Sequence, residues 1–443
     1  MSKIQDTKTL LKASLPLIAA FLAQKGMQLI DTLMMGWIGA DALAAGTLAT
    51  SSFITILLFC MGTLSAVGIF IARAKGARQF DEIKINLQHG IYLSIMLSLP
   101  GMILIWFMPD ILLAMGEEKH IVEMVRLLLH GLAWGFPGFL LFLLFREFIA
   151  AFLLTRVTMT VTISSLPLTF AGNYILIYGK FGLPALGIAG IGYAGAIVMW
   201  FMFASLFFYA RTHVMLKNHV SLYFAKLDRS KLYDMLYVGL PSGMLLLFEG
   251  GMFMCAAILM GYFGVNALAA HQITMQCASI AYSIPFAVSM AAGLQISHAA
   301  GEGDVSKIRR LAIISVMIGL GLAIILAMIF IFAPDFLIQV FVPRSSPDFA
   351  EIYPFAIQFL FLTAIFQCFD AMLAISIGIL RGLKDTLVPM LLSICGYWLI
   401  GISCAWYFSF HTNAGAIGIW YGLTLGICSI AIFLIIRVMK KLP

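Results

Sequence analysis

Apolar runs of about twenty residues recur from one end of this sequence to the other. Each is long enough for a helix rising 1.5 Å per residue to cross a ~30 Å hydrocarbon core. That core holds no water, so every backbone N–H and C=O inside it must be paired within the spanning structure. Only helices and closed barrels meet this condition, and no alternating strand pattern points to a barrel. Twelve runs are distinguishable, at approximately 14–37, 47–73, 87–108, 121–150, 157–178, 187–210, 236–261, 268–297, 307–333, 350–379, 386–408 and 414–437. With 62% hydrophobic and 11% charged residues over 443 positions, the chain lies outside the range of ordinary soluble domains. The reading is an all-α polytopic membrane protein with twelve transmembrane helices.

A net charge of +7 raises the question of a nucleic-acid partner, but the basic residues mark topology rather than one patch. With the amino terminus inside, 21 of the 27 Lys and Arg fall on the cytoplasmic side, from Lys3, Lys8 and Lys12 to Arg437, Lys440 and Lys441. Only Lys119, Lys180 and Arg344 fall outside, and Lys25, Arg126 and Arg146 lie at membrane depth. The expectation is a multi-pass protein with both termini in the cytoplasm and no nucleic-acid partner. The first run lacks a small-residue cleavage site and reads as a retained helix rather than a removed signal peptide. Seven cysteines in apolar segments, with no paired spacing, read as packing residues.

The longest polar interruption, "RTHVMLKNHVSLYFAKLDRSKLYD" from Arg211, divides the chain into six helices plus six. On this basis residues 1–210 form an amino-terminal lobe, 211–235 a cytoplasmic linker and 236–443 a carboxyl-terminal lobe. The two lobes repeat. At an offset of 225, Leu15, Pro16, Gly26, Met35, Gly36, Gly39 and the "ALAA" from Ala42 coincide with Leu240, Pro241, Gly251, Met260, Gly261, Gly264 and the "ALAA" from Ala267. Near the ends of the lobes the offset becomes 228, pairing Gly187, Gly190 and Tyr193 with Gly415, Gly418 and Tyr421. Six helices is an even number, so both copies insert in the same orientation, and a pseudo-two-fold axis along the membrane normal is expected, with a cleft between similar bundles.

The charges break this symmetry: Glu249 aligns with Gln24, Asp31 with Ala256 and Asp370 with Phe142. A carboxylate near the bilayer centre costs about 2.5–3.5 kcal/mol on insertion scales, so it persists only when paired, protonated, bound to a cation or facing water. Asp31 in the first span, Glu249 in the seventh and Asp370 in the tenth are therefore the leading functional candidates. Gln24, Gln28 and Asp31 stand at i, i+4 and i+7, a polar stripe on one helical face, with Lys25 one position off it. Arg146 with Glu147, and Glu123 with Arg126, read as structural or interfacial. His130 and His271 are proton relays or hydrogen-bonded packing residues, and Asn173, Gln272, Gln276, Gln295 and Gln367 supply neutral polar groups. No "GxxxxGK[ST]" phosphate loop or catalytic constellation is present, so ATP-driven transport by this chain alone and an enzymatic role are both disfavoured.

Several of these segments together carry a resemblance: "SLPLI" and "MQLIDTLMMGWIGADALAA" in the first span, "YGKFGLPALGIAGIGYAGAI" around the fifth and sixth, "GLPSGMLLLFEGGMF" and "ALAAHQITMQ" in the seventh and eighth, and "FQCFDAMLAISIGILRGLKDT" in the tenth. The chain resembles the multidrug and toxic compound extrusion (MATE) family, in its bacterial NorM-like branch. The resemblance implies a monomeric secondary antiporter of the bacterial inner membrane, in contact with lipid. It would expel organic cations or drugs in exchange for H+ or Na+, without a cofactor. It places an amino-lobe coupling site at Asp31 with Asn173, and a carboxyl-lobe site at Glu249 and Asp370, either of which pairs with Na+ or a proton. The substrate cleft falls to Gln24, Lys25, Gln28, Gln272, Gln276 and Phe366. Two family oxygen ligands are absent, because Thr169 replaces an asparagine and Phe366 an aromatic hydroxyl. A lipid-linked oligosaccharide flippase is the alternative within the same superfold, and it would need a more cationic cavity than Lys25 and Arg146 provide.

Overall fold

A computed structural model describes residues 3–220 and 226–442; residues 221–225 of the expected linker lie outside the described residues. Among the described residues there is no strand. The helices in chain order are α1 (Lys3–Ile38), α2 (Ala40–Gly76), α3 (Phe80–Ala114), α4 (Lys119–Ala151), α5 (Thr155–Tyr178), α6 (Ile188–Thr212), α7 (Arg229–Gly261) and α8 (Val265–Glu302). They continue with α9 (Val305–Phe332), α10 (Pro334–Phe341), α11 (Phe349–Gly382), α12 (Leu387–Ile394), a π-helical segment (Cys395–Ile402), α13 (Ser403–His411) and α14 (Ile417–Lys441). Among the described residues twelve spans are long and apolar enough to cross a membrane, the eleventh being α12, the π segment and α13 taken together. The chain is a multi-pass membrane protein.

Two compact units make up the chain, Leu15–Gly243 on the one hand and Met1–Ser14 with Met244–Pro443 on the other. Both changes of membership fall beside a proline inside a long helix, Pro16 in α1 and Pro241 in α7. Proline removes an N–H from the helical ladder and crowds the carbonyl four residues back, so these are the points where a continuous helix most readily changes partners.

Inside the first unit α4 is the hub: it packs on α2, α3 and α6, while α5 packs on α6 and α2 on α3. Inside the second, α11 takes that place against α8, α9 and α14, with α13 on α14 and α8 on α9. Each hub helix is apolar nearly all round, the composition a fully enclosed helix requires. Phe136, Phe142, Phe145 and Phe148 of α4 are buried, as are Phe359 and Phe366 of α11. The lipid-facing rows are equally apolar but exposed, for example Ile95, Leu99, Ile103 and Trp106 along α3.

The repeat is visible in backbone conformation as well. Gly39 between α1 and α2, and Gly264 between α7 and α8, have φ of 153° and 95° with ψ of 172° and 170°. A side chain is strained there, so the same glycine ends the first helix of both repeats. On the loop after α8, the "GEGD" turn uses Gly303 at φ 74° and Asp304 as the cap of α9. The Asp304 carboxylate accepts from the Lys307 backbone N–H at 2.9 Å and the Ser306 hydroxyl at 2.8 Å, which holds it below the usual carboxylate range.

Two features were not legible as apolar runs. The eight-residue α10 is too short to register as a span; it starts on Pro334, and the Tyr353 hydroxyl donates to Asp335 in its first turn. The other is the π segment. Gly396 and Gly401 are five residues apart, the spacing that shares a face in an i to i+5 helix, and both abut Gly426 of α14. A Cβ at Gly396 would come within 2.0 Å of Ile430 Cγ1. Gly396→Val is therefore expected to force α14 away at a cost of roughly 1–3 kcal/mol. A lowered melting temperature of the detergent-purified protein would report this; an unchanged one would mean that α14 does not pack as described.

Candidate functional site

On α1, Asp31 faces α5, where the run "TRVTMTVTISSLPLTFAGN" places Thr158, Thr162, Ser165, Thr169 and Asn173 on one buried stripe. Their spacings of four, three, four and four residues keep them on the same helical face. Thr162, Ser165 and Thr169 donate to the carbonyl four residues back at 2.8, 2.9 and 2.8 Å. Their own needs are thereby met inside the helix, and their lone pairs stay available. At the end of the stripe the Asn173 amide donates to Asp31 Oδ1 at 2.7 Å, while Asn173 Oδ1 is buried and has no hydrogen-bond partner.

Gln24, Gln28, Asp31 and Thr169 line one cavity of about 170 Å³, closed by apolar residues including Met35, Phe53, Met199 and Met202. Drug-sized ligand pockets run to about 300–1,000 Å³, so this volume suits water and a small cation rather than a whole amphiphile. The first-span polar stripe and the Asp31–Asn173 pair thus belong to one compartment, and Lys25 lies half-buried outside its lining.

The second unit holds the other acidic cluster. Glu249 on α7 is 8% exposed and Asp370 on α11 is 3% exposed, and the two carboxyl groups are within electrostatic reach of each other. Tyr282 of α8 donates its hydroxyl to Glu249, and Tyr397 of the π segment lies in the field of both acids. The Arg381 guanidinium, at the end of α11, acts electrostatically on Tyr282. Glu249 Oε2, Asp370 Oδ1 and the Tyr397 hydroxyl have no hydrogen-bond partner among the described residues. Two carboxyl groups and two phenols therefore present a set of hard oxygen donors that a proton or an alkali cation could satisfy. Among the described residues no group of three His, Cys, Asp or Glu is arranged to hold a metal ion.

Tyr282 and Tyr397 were not singled out by the sequence. Phe366 is 2% exposed and packs on Phe253 and Trp420. Tyr282 stands eleven residues after His271 on the buried side of α8, a spacing that in retrospect signals a shared face. Nothing in the sequence announces Tyr397, because its direction depends on the π turn.

The remaining candidates separate cleanly. Gln272 and Gln276 are exposed along α8, whereas Gln367 and His271 are buried. Arg146 and Glu147 form a fully enclosed pair at 3.0 Å, with Arg146 over the Phe21 ring at 5.5 Å. Arg126 pairs with Asp110 of α3 at 2.7 Å and approaches Glu123 only to 3.7 Å. His130 stacks on Trp106 at 3.8 Å. All seven cysteines are free.

Twelve spanning helices in two units with the same internal packing, each with a buried carboxylate site, define a membrane transport protein rather than an enzyme. The comparisons identify which one in kind: residues 16–175 and 241–407 match MatE, and the chain belongs to that family, in its NorM-like branch. It is 34% identical to the "Probable multidrug resistance protein NorM" of Pseudomonas putida over 97% of this chain and 93% of the relative. Identity to the protein of the same name in Rhizobium meliloti is also 34%, over 95% of this chain and 90% of that one. Among solved structures, the eukaryotic MATE transporter AtDTX14 superposes with a TM-score of 0.88 at 22% identity, covering 99% of this chain and 96% of that one. An outward-facing multidrug resistance MATE transporter of the MOP superfamily gives the same score at 21% identity, with the same coverage.

The two acidic sites should respond differently to neutralisation. Asp370→Asn keeps the shape of the side chain and removes one of two neighbouring buried acids, so it is expected to raise the melting temperature by about a few degrees. Asp31→Asn leaves two amides opposed where a carboxylate had a donor, so no such gain is expected. Thermal unfolding of the purified variants checks both, and equal shifts would mean that Glu249 and Asp370 do not interact.

Proposed function

We propose that the chain is a secondary antiporter that exports cationic or amphipathic drugs in exchange for H+ or Na+ by alternating access. The observation that carries this reading is the buried Glu249 and Asp370 pair, in which oxygen atoms without protein partners lie beside the Tyr282 and Tyr397 phenols. Such a group of acids changes its charge when a proton or cation arrives, and that change can be linked to release of a cationic substrate. Asp31 with Asn173 provides a second coupling site, and its cavity matches a small ion in size. The names of the Pseudomonas putida and Rhizobium meliloti relatives support drugs as the exported class. Gln24, Lys25, Gln28, Gln272, Gln276 and Phe366 are assigned to the substrate path, on the family resemblance. The distribution of basic residues supports both termini in the cytoplasm, and the family resemblance and bacterial relatives support a monomer in the inner membrane with lipid around it.

The flippase alternative requires a cationic cavity for pyrophosphate. Arg146 carries the Glu147 carboxylate against it, so it and Lys25 together supply little net positive charge there, which counts against this alternative.

Ethidium uptake into inside-out vesicles, with a sodium gradient and a proton gradient imposed separately, tests the reading. Glu249→Gln, Asp370→Asn and Asp31→Asn are each expected to lower transport by at least about a hundredfold while the protein remains in the membrane, the size of effect typical of losing a proton-transfer group. Normal transport by all three variants would sink this mechanism.

A further inference from the structure

Several of the polar groups left without protein partners in the second unit lie along two neighbouring helices, α8 and α11. Contacts advance together along α8 and α11: Asn266 meets Glu351, Tyr282 meets the field of Asp370, and the Ser289 hydroxyl donates to the Ala374 carbonyl at 2.5 Å. The two helices therefore run parallel in constant register. On α11, Thr363, Gln367 and Asp370 stand at i, i+4 and i+7; on α8, His271, Thr274 and Tyr282 stand at i, i+3 and i+11. Those spacings put each set on one face, and because His271 lies five whole turns before Ser289 and Gln367 about two turns before Ala374, the Ser289–Ala374 contact sets the two faces opposite each other.

His271, Thr274, Thr363 and Gln367 are each at most 1% exposed. Both polar atoms of Gln367, His271 Nδ1 and Trp420 Nε1 have no hydrogen-bond partner among the described residues, and the Trp420 ring lies 5.6 Å from His271. An amide unpaired at both ends is costly to bury, and buried polar groups that the protein leaves unpaired are ordinarily bonded to internal water.

We propose that this column of side chains between α8 and α11 carries ordered water and conducts the coupling proton between the amino-terminal end of α8 and the Glu249 and Asp370 pair. The proposal rests on the antiporter reading, in whose topology that end of α8 faces the outside. Thr274 and Thr363 donate to the Ala270 and Phe359 carbonyls at 2.8 and 2.7 Å, so their lone pairs accept from water. Gln367 both donates and accepts one turn before Asp370. His271, nearest the amino-terminal end of α8, begins the column; a proton arriving at one ring nitrogen leaves from the other, and the ring returns to its neutral form. Residues 271–282 and 359–369 contain no acidic side chain, so charge moves along hydrogen bonds rather than between cation sites. The charged groups at the two ends are Glu351, bonded to Asn266, and Arg381, which acts on Tyr282.

The test uses the full-length protein in proteoliposomes with ethidium as the probe. Under an imposed pH gradient, Gln367→Leu and His271→Phe are expected to slow ethidium transport at least about tenfold, with ethidium counterflow, which needs no net proton movement, kept within about twofold. Gln367→Asn, which restores an amide that water can bridge, is expected to recover most of the gradient-driven rate. The conduit is overturned if Gln367→Leu transports at the wild-type rate under the pH gradient, if counterflow falls equally, or if the wild type responds to sodium alone. A wild type that moves no ethidium under either gradient overturns the antiporter reading itself, and the conduit with it.

Discussion

Hydrocarbon offers no partner to a polar group, and the structure of this protein follows from that one constraint. It forces the backbone into helices, which pair every interior N–H and C=O within the same segment. It then forces the few polar side chains inward, because only other protein groups or enclosed water can satisfy them. Thr162, Ser165 and Thr169 meet the requirement within their own helix by bonding the preceding turn. Asp31 meets it across helices through Asn173, and Glu249 through Tyr282. Where the requirement is not met by protein, as at Glu249 Oε2, Asp370 Oδ1 and Gln367, the unit holds the groups that transport chemistry can use.

Packing follows a second consequence of the same environment. Lipid is as apolar as leucine, so helices do not associate to hide apolar surface; they associate where backbones approach closely and side chains interlock. Gly396, Gly401 and Gly426 form such a contact in the second unit. Around the hubs α4 and α11 the interlocking residues are aromatic, with Phe145 against Phe203 and Phe207 in one, and Phe359 and Phe366 against Trp420 in the other. A rigid framework of this kind can keep an under-satisfied acidic cluster in place, which a loosely packed bundle would relax by rotating it away.

Much of the fold was readable without coordinates because its causes are local. Twenty-residue apolar runs, the glycines at 39 and 264 and the prolines at 16 and 241 act through their own backbone. The candidate site was readable in part. Asp31, Glu249 and Asp370 stood out because a charge in an apolar run is anomalous whatever surrounds it, and Asn173 entered through the family motif. Tyr282 and Tyr397 did not stand out, since a tyrosine in a membrane helix is common and its role depends on what it faces. Phe366, expected on the substrate path from the motif, lies enclosed beside Trp420, and Gln272 and Gln276 lie on the exposed side of the neighbouring helix.

The sequence by itself determined twelve spanning helices, their division into two repeats and the identity of the buried acids, because each is a property of a single segment weighed against the solvent it must cross. Tertiary structure alone decided which groups those acids meet. The Tyr282 hydroxyl reaches Glu249, Tyr397 is turned inward by a π turn, and the first residues of α1 and α7 belong with units other than those holding the rest of each helix. These are matters of register and rotation between helices. They are set by contacts summed over whole surfaces, so no short stretch of sequence encodes them.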